Sequence, residues 1–529
     1  MKLPHAKHGS GIRTVKQVAF GGMNHTKGAA EGELFDMENL TGDHYPLLAS
    51  RKPRAKYRKL SEPGGIYSWE GLCWVDGTDF CYQGETRGKV TPGKKVFASM
   101  GRYIVIFPDK CWFDVDTLEF GSLESAWQGE SLVFEDGLLY GEEATANTIY
   151  AEGADWKRLF REGDAVTISG CTANPKNNTS IIIRAIDGDR LYFYEHSFTL
   201  GPEGESYTET GDLRISRTVP DLKYLCENEN RLWGCTDDTI YASKLGDIFN
   251  WNVYDGLDSD SYAVDTGSAG KFTGCISYQG YPTFLKEDHI YKVYGSAPSN
   301  YDVLGSATMG LVAGSENSLA VAGEILFWLG RNGITAYTGG VPQNIAAVFG
   351  TERYAQAAAG SDGLKYYVSM QDQTGCWGLF VYDTRRGLWH KEDDLQVTRF
   401  ANDGGRLYML TAEGDILISD ARDNEDSEDE ICWFAEFADF TDDTPAKKRT
   451  NTIHIRIELT AGAWAEVKIM FDSDGIWRNA GGALCAEQKR SFYLPVRISR
   501  CDHYRVRIEG QGEFQIHSLT REYSVGSLK

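Results

Sequence analysis

The sequence contains no apolar run of about 18 residues and none of the heptad patterns of long helices. The first absence argues against a transmembrane helix, and the second argues against a coiled coil or helical bundle. The segment Met1–Gln17 is basic, but no apolar core follows it, so we expect no signal peptide. These features predict a protein that folds in the cytoplasm and has no membrane segment.

A recognisable cysteine framework is also missing. The 11 cysteines are scattered and odd in number, and several lie inside apolar strand patterns: Cys73, Cys226, Cys235 and Cys275. This arrangement is typical of buried free thiols in a reducing compartment, and it argues against a disulfide scaffold.

Signatures of catalysis are lacking as well. The sequence has no serine nucleophile elbow and no cysteine in a catalytic signature. Its acidic pairs are too numerous for any one of them to mark a glycosidase, because such carboxylates must meet across a cleft. We therefore expect no catalytic residue, no cofactor-binding residue and no metal ligand, and hence a protein that is not an enzyme.

One segment nearly spells a phosphate-binding loop. It runs from Gly88 to Lys95, but Lys95 stands where Ser or Thr would bind magnesium. A strand pattern, Val96–Met100, follows it in place of the helix whose N-terminus would bind phosphate. We interpret the segment as a hairpin turn.

Two further motifs have simple structural explanations. Asp472–Trp477 resembles the Asp-box turn of sialidases, and a tight turn at Asp474-Gly475 accounts for it. His5 and His8 have a spacing that suits a metal, but no Cys or further His lies nearby, so we predict no metal site there.

The net charge of −22 argues against a protein that grips the outside of DNA. A protein that grips DNA needs clustered Lys and Arg. An acidic wall would instead repel phosphate and let DNA pass, and plain solubility of a large acidic protein is the alternative interpretation. The acidic run Asp420–Glu430 lacks the glycine and spacing of a calcium loop, so we interpret it as a solvated linker.

What the sequence does contain is a strand–turn–strand unit that recurs about seven times. Clear copies run over Gly64–Glu85, Leu222–Lys244 and Val397–Asp420. Each has short apolar strands separated by turns rich in Gly, Asn or Asp, which is the pattern of a β-meander. Such a sheet cannot bury both faces alone, and radial stacking of four-stranded sheets gives a β-propeller. We predict an all-β fold with a propeller of about seven blades.

The spacing places the blade-like units at 62–92, 93–120, 220–255, 270–298, 314–349, 357–393 and 396–420. Between the second and third units, residues 121–217 do not fit the repeat and have strands of their own around Asp187-Gly188. This stretch predicts a small β-barrel inserted in an inter-blade loop, where insertions are tolerated.

Both ends of the chain differ from the repeats. From 431 to 529 the strands become longer and alternate cleanly, as at 453–459 and 504–510, which predicts a C-terminal β-sandwich. The strand pattern Thr14–Phe20 is expected to pair with the last blade and close the ring. The predicted order is an N-terminal arm with the closing strand (1–60), blades one and two (61–120), the inserted barrel (121–217), blades three to seven (218–425) and the sandwich (431–529).

Several segments together resemble structural proteins of tailed phages and prophages. They are Phe20–Asn24 followed by Met37–Leu40, Tyr45–Leu48 and Arg51; Lys244–Trp251 directly after the strand Thr239–Ser243; and the C-terminal Gln515–Ser527. The similar proteins are the propeller-bearing tail hub, nozzle and head-completion stabilisation proteins of short-tailed phages. The resemblance implies a six-fold ring around the tail axis, with propellers outside and a DNA channel inside.

We therefore expect a structural component of a bacteriophage tail, a hub or nozzle ring that forms part of the DNA-ejection conduit. It would be assembled in the cytoplasm of the host bacterium and reside in the virion. The expected partners are further copies in a hexamer, other tail and adaptor proteins, and DNA that passes without specific binding. Two alternatives stay open: a receptor- or glycan-binding propeller module of the virion, and a glycan-cleaving enzyme.

Overall fold

The computed structural model describes residues 11–139, 144–421, 427–428, 431–442, 444, 446–496 and 500–525. The chain forms two compact units. Unit 1 comprises the described residues up to Ser68 and those from Leu311 onwards, and unit 2 comprises Trp69–Gly310. The regular structure is nearly all β, as predicted.

The strands of the N-terminal region are β1 (Ile12–Gln17), β2 (Leu34–Glu38), β3 (Leu40–Thr41), β4 (Leu48–Ser50) and β5 (Ala55–Lys59). The strands of the first two repeats are β6 (Pro63–Ser68), β7 (Leu72–Asp76), β8 (Asp79–Tyr82), β9 (Glu85–Lys89), β10 (Val96–Met100), β11 (Tyr103–Phe107), β12 (Cys111–Asp114) and β13 (Phe120–Ser122).

The inserted segment contains β14 (Ser125–Leu139), β15 (Ala144–Tyr150), the one-turn helix α1 (Trp156–Leu159), β16 (Ala165–Ser169), β17 (Ser180–Ile182), β18 (Ala185–Asp187), β19 (Arg190–Phe193) and β20 (Tyr207–Arg217). Single 3₁₀ turns occur at Pro175–Asn177, Pro202–Gly204, Pro298–Asn300, Glu316–Ser318 and Ala347–Phe349.

The later repeats contain β21 (Tyr224–Asn228), β22 (Arg231–Cys235), β23 (Thr239–Ala242), β24 (Tyr262–Asp265), β25 (Gly274–Tyr278), β26 (Tyr281–Leu285), β27 (His289–Tyr294), β28 (Asp302–Ala307), β29 (Ala320–Ala322), β30 (Ile325–Gly330), β31 (Gly333–Tyr337), β32 (Gln343–Asn344), β33 (Tyr354–Ser361), β34 (Lys365–Asp372), β35 (Trp377–Asp383), β36 (Leu388–Asp393), β37 (Val397–Asp403), β38 (Arg406–Thr411) and β39 (Asp415–Ile418).

These repeats are the blades of the predicted propeller. Within the described residues they form seven four-stranded antiparallel sheets, six of them meanders of four consecutive strands. In unit 2 the first strands β10, β21 and β25 are neighbours, and in unit 1 the first strands β29, β33 and β37 are neighbours. Sheets that stack through their first strands are arranged radially, as propeller blades are. The fold is therefore all-β with a propeller of about seven blades.

The last blade is completed from the N-terminal region, but by a different strand from the one predicted. β5 pairs with β39, and its Lys56 and Lys59 form ion pairs with Asp415. The expectation that Thr14–Phe20 closes the ring is wrong, because residues 14–17 belong to β1, which pairs with a C-terminal strand. The outer strand of a blade faces solvent, so the charged β5 shows no apolar pattern that would have marked it.

The third and fourth blades extend beyond their predicted ends. Their fourth strands, β24 and β28, begin after residue 255 and after residue 298, respectively. In each case a loop, residues 243–261 and residues 295–301, separates the third strand from the fourth, and this loop interrupted the strand pattern on which the boundary was based.

The inserted segment is a small β-barrel, as predicted. Its seven described strands form one antiparallel sheet in the order β17-β16-β20-β14-β15-β19-β18. The two edge strands, β17 and β18, are joined by residues 183–184 alone, so the two edges of the sheet meet. An apolar core that includes Trp156, Ile168 and Phe193 fills the interior, and Leu139, Ala146 and Ala185 form a second, smaller apolar cluster.

The C-terminal domain is the predicted β-sandwich. Its strands are β40 (Cys432–Phe437), β41 (Lys448–Leu459), β42 (Trp464–Phe471), β43 (Arg478–Asn479), β44 (Arg490–Pro495), β45 (Tyr504–Gln511) and β46 (Phe514–Val525). One sheet has the order β3-β4-β46-β41-β44 with β1 also on β46, and the other has the order β2-β40-β45-β42-β43. The first four strands of the chain thus complete this domain.

Alternation explains which faces of the sandwich are buried. Ile453, Ile455 and Ile457 of β41 have no exposed surface, whereas the intervening side chains point away from the core. The core continues without a break into the blades β29–β32 and β33–β36 of the same unit, through Phe327, Tyr366 and other residues. The sandwich is therefore packed firmly against these blades.

Candidate functional site

The segment Lys244–Trp251 forms a compact turn after β23 in unit 2. The backbone amide of Phe249 donates to Asp247 Oδ1 at 2.8 Å, and Asn250 Nδ2 donates to Asp247 Oδ2 at 2.6 Å. The indole of Trp251 donates to the carbonyl of Ile248 at 3.0 Å. The polar side chains thus fold the turn on itself while Ile248, Phe249 and Trp251 are buried.

The same turn is the point at which the inserted barrel is attached. Asn250 Nδ2 donates to Asp164 Oδ1 at 3.1 Å, and the amide of Ala165 donates back to Asn250 Oδ1 at 2.9 Å. Arg217, at the end of β20, donates to the other oxygen of Asp164. We call Asp164, Arg217, Phe249 and Asn250 the barrel interlock.

The two charged side chains of the barrel interlock, Asp164 and Arg217, pair with each other. Asp164 and Arg217 are almost fully buried, and the guanidinium of Arg161 lies 3.7 Å over the ring of Phe249. A buried ion pair gains little over an apolar pair of similar shape, but removing one partner leaves the other charge unpaired. The ion pair and the hydrogen bonds of Asn250 therefore hold the barrel against the turn Lys244–Trp251.

A loop beside the interlock is held by a buried arginine. Arg231 of β22 donates to the carbonyl oxygens of Ser243 at 2.9 Å, Asp258 at 2.6 Å and Asp260 at 2.5 Å. The loop between β23 and β24 nevertheless leaves Leu257 61% exposed. The result is an ordered loop with an apolar tip.

A second attachment, in unit 1, involves the segment Phe20–Asn24. Phe20 packs against Phe437 of the sandwich, and the amide of Met23 donates to the carbonyl of Trp389 in β36 at 2.7 Å. Gly22 lies so close to β36 that a Cβ atom would meet the Trp389 oxygen at 2.6 Å. We call residues 20–54 the N-terminal clamp, because they lie between the sandwich and this blade.

The end of the N-terminal clamp is a network of buried charges. Arg54 donates to Glu392 at 2.5 Å and to Asp393 at 2.6 Å, and Arg51 donates to Glu428 at 2.6 Å. Burial opposes the ionisation of Asp393, but Arg54 outweighs it and lowers the pKa of that carboxyl. Glu428 belongs to the acidic run 420–430, so this residue is a structural anchor and not only part of a solvated linker; residues 422–426 and 429–430 lie outside the described part.

A buried histidine lies at the centre of the N-terminal clamp. His390 of β36 packs so close to Gly42 that a Cβ there would meet its Cε1 at 2.8 Å. Lys365 Nζ and Asp43 Oδ1 form an ion pair of 2.5 Å nearby. Burial, helped by the charge of Lys365, lowers the pKa of His390 to about 4.

Two adjoining cavities open at one end of the sandwich in unit 1. Their volumes are about 430 Å³ and about 340 Å³, and both are lined by Thr460, Ala461 and Glu513. The larger cavity also has Glu458 and Glu487 in its wall. Carboxylates in such a wall accept hydrogen bonds from hydroxyl groups and attract cations.

The structure shows how two of the sequence motifs fold. Gly88–Lys95 connects β9 to β10, and Lys95 is buried in a 2.5 Å ion pair with Asp109. The prediction of a hairpin turn was wrong, because β9 and β10 belong to different sheets. Asp472–Trp477 is the turn between the paired strands β42 and β43, as predicted. His5 and His8 lie outside the described residues.

The cysteines form no disulfide scaffold, as expected. None of the 11 cysteines is in a disulfide; Cys73, Cys226 and Cys235 are buried, and Cys275 is half-buried. In the part of the chain that the structure describes, no three His, Cys, Asp or Glu side chains are placed to hold a metal ion. Among the same residues, no helix has the length and apolar character needed to cross a membrane.

Comparison with known proteins gives neither a family nor a curated relative. No protein-family model and no curated protein matches the chain. BamB from Moraxella catarrhalis is structurally similar at 10% identity and a TM-score of 0.33, over 70% of this chain and 99% of that one. An exo-β-1,3-galactanase from Phanerochaete chrysosporium is similar at 8% identity and a TM-score of 0.22, over 55% and 94%. A glycoside hydrolase family 43 arabinoxylan arabinofuranohydrolase from Bacillus subtilis is similar at 9% identity and a TM-score of 0.17, over 89% and 96%.

Sequence reasoning singled out Lys244–Trp251 and Phe20–Asn24, but it missed the buried charges on the other side of each attachment, such as Asp164 and Glu392. Asp164 and Arg217 are separated by 53 positions; Asp164 lies in the turn before β16, and Arg217 is the last residue of β20. One signal was available: Arg231 follows a turn and enters an apolar strand, where a charged side chain needs partners.

Proposed function

We propose that this β-propeller protein is a structural, non-catalytic component of a bacteriophage tail, a hub or nozzle ring that forms part of the DNA-ejection conduit. One observation carries the proposal. The segments that resemble phage tail proteins are the ones that fasten the barrel and the sandwich to their blades, at the barrel interlock and the N-terminal clamp. These segments hold parts of the same chain together.

Rigidity is what such a role requires. A tail component must transmit load between copies without local unfolding, and buried charge networks are costly to break. The −22 net charge supports a conduit over a DNA clamp, because few Lys and Arg contacts to phosphate would have to be broken as DNA moves.

The proposed partners follow from symmetry. Identical head-to-tail contacts that close around an axis give a ring, and we propose six copies, with other tail and adaptor proteins above and below. The ring would be assembled in the bacterial cytoplasm and incorporated into the virion.

Native mass spectrometry and negative-stain electron microscopy of the purified protein test this proposal. We expect six-copy particles with a central hole, and no retention of duplex DNA in a gel-shift assay at physiological salt. A protein that remains a monomer at all accessible concentrations, or that retains duplex DNA under those conditions, would argue against the conduit.

A receptor- or glycan-binding role is the second candidate, and the paired cavities of the sandwich favour it. Carboxylates in their walls suit the hydroxyl groups of a sugar. Glycan-array binding that is lost in Glu458→Gln, while Glu466→Gln on the solvent-facing side of β42 retains it, would support this role. Absence of binding across the array would reject it.

A further inference from the structure

The first strand of the chain contributes almost nothing to a core. From Gly11 to Ala19 no residue is buried, and Ile12 is 66% exposed. The first buried side chain is Phe20. β1 can therefore leave its place without opening the apolar core, and the loss would be its backbone ladder and the partial burial of Val15 and Gln17.

The strand that receives β1 is, by contrast, firmly held. β46 pairs with β41 along its other edge, and its Leu519 and Tyr523 are buried. Arg521 of the same stretch forms ion pairs with Glu31 at 2.8 Å and Asp442 at 3.0 Å. Without β1, residues 519–524 of β46 would present an open strand edge, which is a template for pairing with another chain.

The charge of the N-terminal region is opposite to that of the rest of the protein. Residues 1–30 contain five Lys and Arg and no Asp or Glu, in a chain with a net charge of −22. Copies of such a chain repel one another, and a basic arm that reaches a neighbour reduces this repulsion. In β1 itself, Arg13 and Lys16 are exposed.

We propose that β1 is exchanged between copies of this chain, so that β1 of one copy pairs with β46 of the next. The inference rests on the proposed ring and names the contact that joins its members. The hinge is Val18–Ala19, just before the buried Phe20. Nine extended residues, 11–19, reach about 30 Å, and a head-to-tail exchange repeated around an axis closes a ring.

A disulfide introduced between the paired strands tests the exchange. Thr14 lies opposite Glu522, so Thr14→Cys with Glu522→Cys places two thiols across the β1–β46 ladder. The exposed Cys376, Cys432 and Cys485 are first changed to Ser. Added diamide accepts two electrons and two protons from the thiol pair and becomes the hydrazine as the S–S bond forms.

The matched control lies on the other edge of the same strand. Arg449 lies opposite Ser524 in the β41–β46 ladder, and both belong to the C-terminal part of the sandwich. Arg449→Cys with Ser524→Cys should therefore give a disulfide within one chain and a monomer band on a denaturing, non-reducing gel.

Exchange predicts covalent multimers for the Thr14/Glu522 pair at the concentration where rings form. A monomer band with an internal disulfide, or no crosslink where the control pair reacts fully, overturns the exchange. A six-copy ring seen together with internal disulfides rejects the exchange and leaves the proposed function in place. Deleting residues 1–18 is the second test: rings that persist in this variant also overturn the proposal.

Discussion

The side-chain amide of Asn250 donates a 3.1 Å hydrogen bond to Asp164 Oδ1 across 86 positions of the chain. One residue belongs to a blade loop and the other to the inserted barrel, so this bond joins two bodies that each have a separate core. Asp164 also accepts a hydrogen bond from Arg217. Loss of the Asn250 side chain would therefore leave this buried carboxylate with fewer hydrogen-bond donors.

Asn250→Ala should lower the free energy of unfolding of unit 2 by about 1–3 kcal/mol, since it leaves Asp164 buried with one donor fewer. Chemical denaturation followed by tryptophan fluorescence measures the effect. Asn252→Ala is the control, because Asn252 is exposed and its amide reaches Thr218 O only at 3.4 Å; this change should cost less than about 0.5 kcal/mol. Equal effects of the two changes would show that the interlock does not stabilise the unit.

Gly22→Ala should destabilise unit 1 by about 1–3 kcal/mol, because the new Cβ would meet the backbone oxygen of Trp389 at 2.6 Å. Thermal unfolding followed by near-ultraviolet circular dichroism measures it. Gly28→Ala serves as the control, since no heavy atom lies within 4 Å of a Cβ built there. If both variants melt at the wild-type temperature, the close approach of the N-terminal clamp to β36 is not maintained in solution.

The pKa of His390 makes stability depend on pH. Burial lowers it from 6.5 to about 4, so between these values the unfolded chain binds the proton and the folded chain does not. The contribution of neutral His390 to the free energy of unfolding is therefore complete above pH 6.5. It is lost as the pH drops towards 4, and it amounts to about 3 kcal/mol for a shift of this size. Denaturation at a series of pH values measures this slope.

His390→Gln should flatten that slope, because glutamine does not titrate. The exposed His44 lies in the same region, and His44→Gln should leave the slope unchanged. An unaltered slope in His390→Gln would assign the acid sensitivity to other groups, such as Asp393, whose lowered pKa acts in the same direction.

Features formed by neighbouring residues could be predicted from the sequence, whereas pairings between distant segments could not. The alternation of Ile453, Ile455 and Ile457 and the turn at Gly188, whose φ is +56°, are local, and they predicted the sandwich and the barrel correctly. The partners of β1 and β5 are not local. Both strands are short and polar, and only the full three-dimensional arrangement determines which open edge each of them covers.

The same distinction holds for the candidate site. The segment Lys244–Trp251 stood out because its residues are close together in the sequence. Its partners Asp164 and Arg217 did not, because an isolated Asp in a turn and an isolated Arg at the end of a strand are common in any acidic protein. Burial of those charges was the deciding fact, and it is visible only in the folded chain.

Removing the barrel should leave the rest of unit 2 folded. Ser125 and Arg217 are directly opposite each other at its base, so replacing residues 126–216 by two glycines spans the gap without strain. Cooperative unfolding of this variant, measured by urea denaturation, is the expected result. Loss of all cooperative unfolding would mean that the barrel is required for the blades to fold.

The most direct measurement of the central claim is a cryo-electron-microscopy reconstruction of a virion that carries this chain. The account predicts six copies in a ring around the tail axis, with acidic side chains facing the channel through which DNA leaves. A single copy at the tip of a fibre, with a glycan bound in the sandwich cavities, would contradict the conduit and favour the receptor-binding role.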